Sequence, residues 1–176
     1  DAAGIESMRH VLETFEGRYP EPHERTLLAR IDPACEPMLR AMDAIAAKSK
    51  DISREVCEAV FARYDYESAH FNAKAKCVRD IQLVLAYGAH SMMLGSPIYF
   101  ADKLLHWLRT IFASFTFPGK GESVLMTYQL VQKSCDECLP PEAAAMFRPY
   151  TQAMLDILPA PGLGAKAANA VTSATY

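Results

Sequence analysis

A chain of 176 residues, 51% of them apolar, suits one domain and can bury roughly 70% of the surface that its unfolded form exposes. Its 18 basic and 21 acidic residues are interspersed and sum to −3, which leaves no basic stripe for a nucleic acid backbone to follow and excludes DNA and RNA as expected partners. No apolar run reaches about 18 unbroken residues, because His90 and Ser91 interrupt the longest and Asp102 and Lys103 follow it; the chain is expected to lie beside a membrane at most, not to span one.

Strict alternation and β-branched runs are scarce, and glycines fall mostly at segment ends, which predicts an all-α chain. Ala2 to Phe15 reads as a first helix with Ile5, Met8, Val11 and Leu12 on one face, ended by Gly17, Pro20 and Pro22. Too short to stand alone, it is expected to dock on a partner or on the body of the domain. Arg25 to Ile31 is a further helical piece, and Pro33 begins or kinks a segment running to about Lys48. Asp51-Ile52-Ser53 offers a fresh cap before Arg54 to Tyr64, and residues 65 to 73, with the turn formers Asp65, Ser68 and Asn72, read as a loop. The central helix runs from about Ala73 to Leu94 and stops at Gly95-Ser96-Pro97. Ala101 to Phe115 follows, with Leu104, Leu105, Leu108, Ile111, Phe112 and Phe115 along one side. Glu122 to Gln132 reads as a helix, Cys135 to Pro141 as a loop, and Glu142 to Leu158 as the last helix, with Pro149 a candidate kink. The domain body is residues 23–158, and the Ala- and Gly-rich residues 159–176 are expected to form a mobile tail or an interaction arm. About eight helices around a long central one resemble a globin-type arrangement preceded by an extra arm.

Cys77-Val78-Arg79-Asp80 lies near the start of the central helix. Positions 77, 80 and 81 share a helical face, so a thiol and a carboxylate can meet one ligand, while Arg79 points elsewhere and is expected to reach an outlying acidic group. A soft nucleophile, a fixed cation and a carboxylate this close can grip something flat, apolar and polar-edged. Taken alone, the four residues match the commoner arrangement of a buried thiol acting as a small hydrophobe beside a surface ion pair.

The surrounding residues change that balance. Cys77-Val78-Arg79-Asp80-Ile81, followed without a gap by Leu85, Tyr87, Gly95, Asp102, Leu105, Leu108-Arg109, Phe112, Ala113 and Pro118, resembles the Cys-x-Arg-Asp attachment segment of the phycobiliproteins. These are the bilin-carrying light-harvesting subunits that include allophycocyanin and phycocyanin. The resemblance implies a globin-like all-α fold and a linear tetrapyrrole of the phycocyanobilin type, joined through a thioether from Cys77 to ring A. It implies that Asp80 accepts hydrogen bonds from the ring B and ring C nitrogens, that Arg79 with Lys76 takes a propionate, and that Tyr87 packs along the pigment. It further implies pairing with a homologous subunit and then ring assembly, with residues 1–22 as the pairing arm, and a thylakoid-surface location in a plastid or cyanobacterium. One departure concerns the approach to the thiol: where family members often carry basic residues, this chain has Asn72-Ala73-Lys74, which leaves Lys74 or His70 for the second propionate.

The remaining constellations are weaker. Five cysteines is an odd count, with neither a secretory leader nor the density of a disulfide scaffold, so a reducing compartment is expected. The chain starts at Asp1, as a cleaved transit segment or simple trimming would each leave it. Cys135-Asp136-Glu137-Cys138 is a lone CxxC with no second pair or close histidines to complete a zinc site. A local disulfide or two free thiols is the ordinary reading; by resemblance to some β-subunits, Cys138 is a possible second attachment point. Cys35 and Cys57 read as packing. His90 and His106 are the candidates for haem ligation in a globin-like fold, although most helix histidines are simply satisfied polar groups. With no Ser-His-Asp or Cys-His-Asp grouping, phosphate loop or carboxylate pair, an enzyme is not expected. The resemblance implies light harvesting and energy transfer or bilin handling; the alternative function is a pigment-free structural subunit of a larger organellar or photosynthetic assembly on the same fold, with Cys77 and Asp80 packed by neighbouring side chains.

Overall fold

In the computed structural model, residues 2–65, 71–115 and 119–159 are described. Among them every regular element is helical. They are α1 (Ala2–Thr14), α2 (Pro22–Ile31), a 3₁₀ turn (Pro33–Cys35), α3 (Glu36–Arg63), α4 (Ala73–Met93), α5 (Pro97–Phe100), a π-helical segment (Ala101–Leu105), α6 (His106–Ser114), α7 (Lys120–Cys138) and α8 (Pro141–Ile157). The tail from residue 160 onward, Ser68, His70 and Pro118 lie outside the described residues.

Helix α3 runs unbroken through the expected cap at 51–53. Its buried positions Leu39, Met42, Ile45, Ser49, Ile52, Val56 and Val60 recur at three- and four-residue spacing across that point, and one continuous apolar stripe outweighs a local capping signal. The capping groups are used otherwise: Asp51 pairs with Arg54 at 3.0 Å, and Ser53 Oγ donates to the Lys50 carbonyl at 3.0 Å. Helix α7 likewise extends past the expected loop. Val124, Tyr128, Val131 and Cys135 continue its buried stripe, and Leu139 turns extended before Pro140, as a residue preceding proline prefers.

Helix α4 ends on a left-handed Gly95 with φ +63°; the Gly95 N–H donates to the Met92 carbonyl and the Ser96 N–H to the Ser91 carbonyl, a Schellman arrangement that satisfies two orphan acceptors. Helix α8 passes through Pro149, and the carbonyl deprived of its donor belongs to exposed Ala145, where water can serve it. The π-helical segment buries Leu104 and Leu105, and α6, which continues it, buries Leu108 and leaves Trp107 outside. Phe115, expected on the apolar face of that helix, lies past its end and is 45% exposed.

Helices α3, α4, α7 and α8 pack on one another around the core, and α2 is tied to α3 by Arg25, which donates to Glu36 at 2.9 Å and Asp43 at 2.7 Å. The N-terminal arm docks on its own body. Val11, Leu12 and Phe15 are buried, and His90 of α4 donates from Nε2 to the Leu12 carbonyl at 2.8 Å. Glu24 closes the arm: it accepts from Thr14 at 2.8 Å, from Arg18 Nη1 and Nη2 at 2.7 Å, and from the Glu21 N–H at 2.7 Å. Those donors hold its carboxyl down at about 2, the Arg18 guanidinium contributing most.

Candidate functional site

Cys77 and Asp80 sit one turn apart early in α4, both half-buried. The first turns of this helix are less enclosed than its middle, where Ile81, Val84 and Leu85 are core residues. Arg79 does not reach outward as its helical position implies. It folds back and donates from Nε and Nη2 to the same Asp80 oxygen, at 2.8 and 2.6 Å. The nearest carboxylate captures a guanidinium whose side chain is 70% exposed, while Asp80 is only 27% exposed. Lys76, also half-buried, lies one turn before Asp80 on the same helix.

Residues of α3 and α7 complete this end of the molecule. Gln82 of α4 donates to Ser53 Oγ of α3 at 3.1 Å, which fixes the register of two antiparallel helices. One turn onward in α3 is Cys57, and a little over one turn back in α4 is Cys77. Cys57 is wholly buried, and its thiol is pushed up first by the neighbouring Cys77 and then by burial. Tyr128 of α7 lies beneath, with its phenol pushed well up by burial and further by the neighbouring Cys77, Asp80 and Cys57. Cys57 was legible as packing alone; the signal that brings it near Cys77 is the nearly constant sum of residue numbers along an antiparallel helical hairpin.

Tyr87 is placed elsewhere. It lies ten residues beyond Cys77, roughly 15 Å along the helix, and its ring covers Gly17 so closely that a Cβ there would stand 2.6 Å from Tyr87 Cε2. Its phenol is pushed up by burial and by Glu16, which also accepts from Tyr99 Oη at 2.9 Å. This cluster clasps the arm. His90 belongs to it as well, edge-on to Phe15 at 5.3 Å between centroids, so its Nε2 is committed to Leu12 and its Nδ1 is buried without a partner. His106 is exposed and stands 4.0 Å from Asp102. With one nitrogen bonded and the other enclosed, His90 has no ring nitrogen open to an iron.

Cys135 is buried in α7 and its thiol is pushed up to about 12 by burial, whereas Cys138 ends that helix exposed; all five cysteines are free thiols. The expected CxxC loop is therefore helix, with one sulfur inward and one outward. Lys74 is exposed at the start of α4. No described helix is long and apolar enough to cross a membrane.

Comparison with known proteins adds one positive finding. The family model described as phycobilisome protein matches residues 14–158, which spans the chain from the end of α1 to the end of α8 and includes Cys77, Arg79 and Asp80. No curated protein and no solved structure matches the chain. The match covers most of the sequence, agrees with the all-α fold, and includes the segment that resembled a pigment-attachment motif: the chain belongs to the phycobilisome protein family, as a phycobiliprotein-like subunit.

Proposed function

We propose that this subunit carries one bilin covalently at Cys77 for light harvesting and energy transfer. The observation that supports the reading is the shared face of Cys77 and Asp80 at the open end of α4, with an exposed cation already drawn to the carboxylate. The donor set suits a linear tetrapyrrole. Cys77 offers a half-exposed sulfur for a thioether, Asp80 offers a partly enclosed carboxylate for pyrrole N–H donors, and Arg79 offers a planar fork for a propionate. Loading exchanges partners: Arg79 leaves Asp80 for the propionate, and Asp80 keeps a charged partner in place of the one it loses. Lys76 adds a second cation at the same edge. Tyr128, beside Cys77 and Asp80, and Ile81 are buried core residues, and a pigment seated against packed side chains would twist less and lose less excitation as heat. When bound, the bilin supplies visible absorption and passes excitation to neighbouring pigments.

The family assembles with other phycobiliprotein subunits, and we place this chain in an αβ-type pair and then a ring at a thylakoid surface, in a plastid or cyanobacterium. Because Val11, Leu12 and Phe15 are used inside the chain, the arm meets a partner through its earlier residues, with Trp107 and Ile98 as apolar contacts; these side chains are 57% and 74% exposed. The test is the absorption spectrum of the native protein, followed by zinc-enhanced fluorescence on a denaturing gel. A visible band between about 550 and 670 nm that stays with the polypeptide is expected, as the cofactor governs absorption. Colourless protein from a bilin-making source refutes the reading and leaves the pigment-free structural subunit.

A further inference from the structure

We propose that His90 is a proton-operated latch for the N-terminal arm: a proton added at Nδ1 parts α1 from α4 while the rest of the fold stays closed. The geometry of the junction carries it. His90 Nε2 donates to the Leu12 carbonyl at 2.8 Å, so the neutral ring has a bare Nδ1, and that nitrogen is buried with no hydrogen-bond partner. Phe15, edge-on at 5.3 Å, and Tyr99, tilted at 5.9 Å between centroids, wall the ring in. A second N–H therefore arrives as a charged donor with nothing to accept it, and the contact that encloses it gives way.

The charged and titratable groups around the ring do not supply the missing acceptor. Glu16 is engaged: it accepts from Tyr99 Oη at 2.9 Å and pairs with Lys103 at 3.9 Å, and the Lys103 ammonium lies 5.5 Å from the Tyr99 ring centre. Glu13 pairs with Arg9 at 3.9 Å on the exposed side of α1. Tyr87 packs on Gly17, and Tyr150 of α8 donates to the Ser91 carbonyl. Burial does most to hold the ring neutral and Lys103 adds to it, against the Leu12 carbonyl and Glu16. His10, His23 and His106 are exposed and enclose no such nitrogen. Glu24 stays ionised down to about pH 2 and keeps Thr14 and Arg18 tied to α2, so α1 swings from α4 on a tether and uncovers Val11, Leu12 and Phe15. A freed helix of 13 residues frays in water.

The test follows amide hydrogen exchange of the full chain by NMR from about pH 7.5 to about pH 5, with each rate corrected for its intrinsic pH dependence. Protection of the arm's amides at residues 11–15 should fall by up to about tenfold per pH unit below about 6.5, the slope of one proton, while α3 from Leu39 to Val60 keeps its protection. His90→Gln, which still donates to the Leu12 carbonyl, should hold the arm's protection level across the range. Arm amides that are unprotected at about pH 7.5, or whose protection ignores pH, overturn the latch. An equal fall in His90→Gln overturns it too, and so does a fall shared by α3, which is general unfolding. Should that variant not fold, the His90 Cε1–H shift decides in the unsubstituted chain: it should titrate in step with the arm's loss of protection. A ring still neutral once the arm has opened overturns the latch.

Discussion

Gly17 is where the arm's docking can be measured most cleanly. Its φ is +81°, and a Cβ built there lies 2.6 Å from Cε2 and 3.0 Å from Cζ of Tyr87. Gly17→Ala therefore meets two costs. The left-handed backbone costs a non-glycine residue about 1–2 kcal/mol, and forcing a methyl against a held ring costs about 1–3 kcal/mol more. Gly95 supplies the control, because it has φ +63° but nothing within 4 Å of the place a methyl would take. Gly95→Ala should thus lose only the first part. At about 2–4 °C per kcal/mol for a domain of this size, the two variants should differ in Tm by roughly 2–12 °C. Thermal unfolding followed by helical circular dichroism reads the difference. Adding Tyr87→Ala to Gly17→Ala should recover much of the excess, since the ring is what the methyl meets. Equal destabilisation of Gly17→Ala and Gly95→Ala, within about 0.5 kcal/mol, would refute the contact and the docked position of the arm.

Two further outcomes concern protons. Glu24 has its carboxyl lowered from 4.5 to about 2 by Arg18, the Glu21 N–H and Thr14, so the unfolded chain takes up its proton first and the stability this group contributes is lost as pH falls from about 4.5 through about 2. Glu24→Gln should cost about 1.5–3 kcal/mol at neutral pH in urea titrations and flatten that acid limb; an unchanged limb would contradict it. His90 has its pKa lowered below 6.5, chiefly by burial, so the unfolded chain protonates first and stability declines as pH drops below about 6.5. His90→Gln, which can still donate to the Leu12 carbonyl, should remove that decline while keeping the fold, as stability curves between about pH 7 and pH 5 would show.

The all-α class and the ends of α4 were readable because glycine, proline and apolar spacing agree there: Gly95 caps α4 and Ala73 begins it. Boundaries failed where a local signal opposed burial. Ser53 looks like a cap but lies mid-helix on a stripe from Leu39 to Val60, and Cys135 looks like loop but continues the stripe of Tyr128 and Val131. In the site, the common face of Cys77 and Asp80 follows from spacing alone. Arg79 could not be placed that way, because an exposed side chain turns to whichever carboxylate is nearest. Tyr87 and Cys57 depend on neighbours distant in sequence, Gly17 in the arm and Cys77 in the next helix, and helical periodicity carries no such pairing.

The central claim, a pigment on Cys77, is tested most directly by the coloured peptide of a tryptic digest. Trypsin cuts after Lys76 and Arg79, so the attachment residue is released in the tripeptide Cys77-Val78-Arg79, well separated from the peptide that begins at Ser134 and holds Cys135 and Cys138. Protein taken from a bilin-making source should give its visible absorbance on the tripeptide, with the mass of one bilin added. Colour confined to the Ser134 peptide, or an unmodified tripeptide with no colour anywhere, would contradict the account.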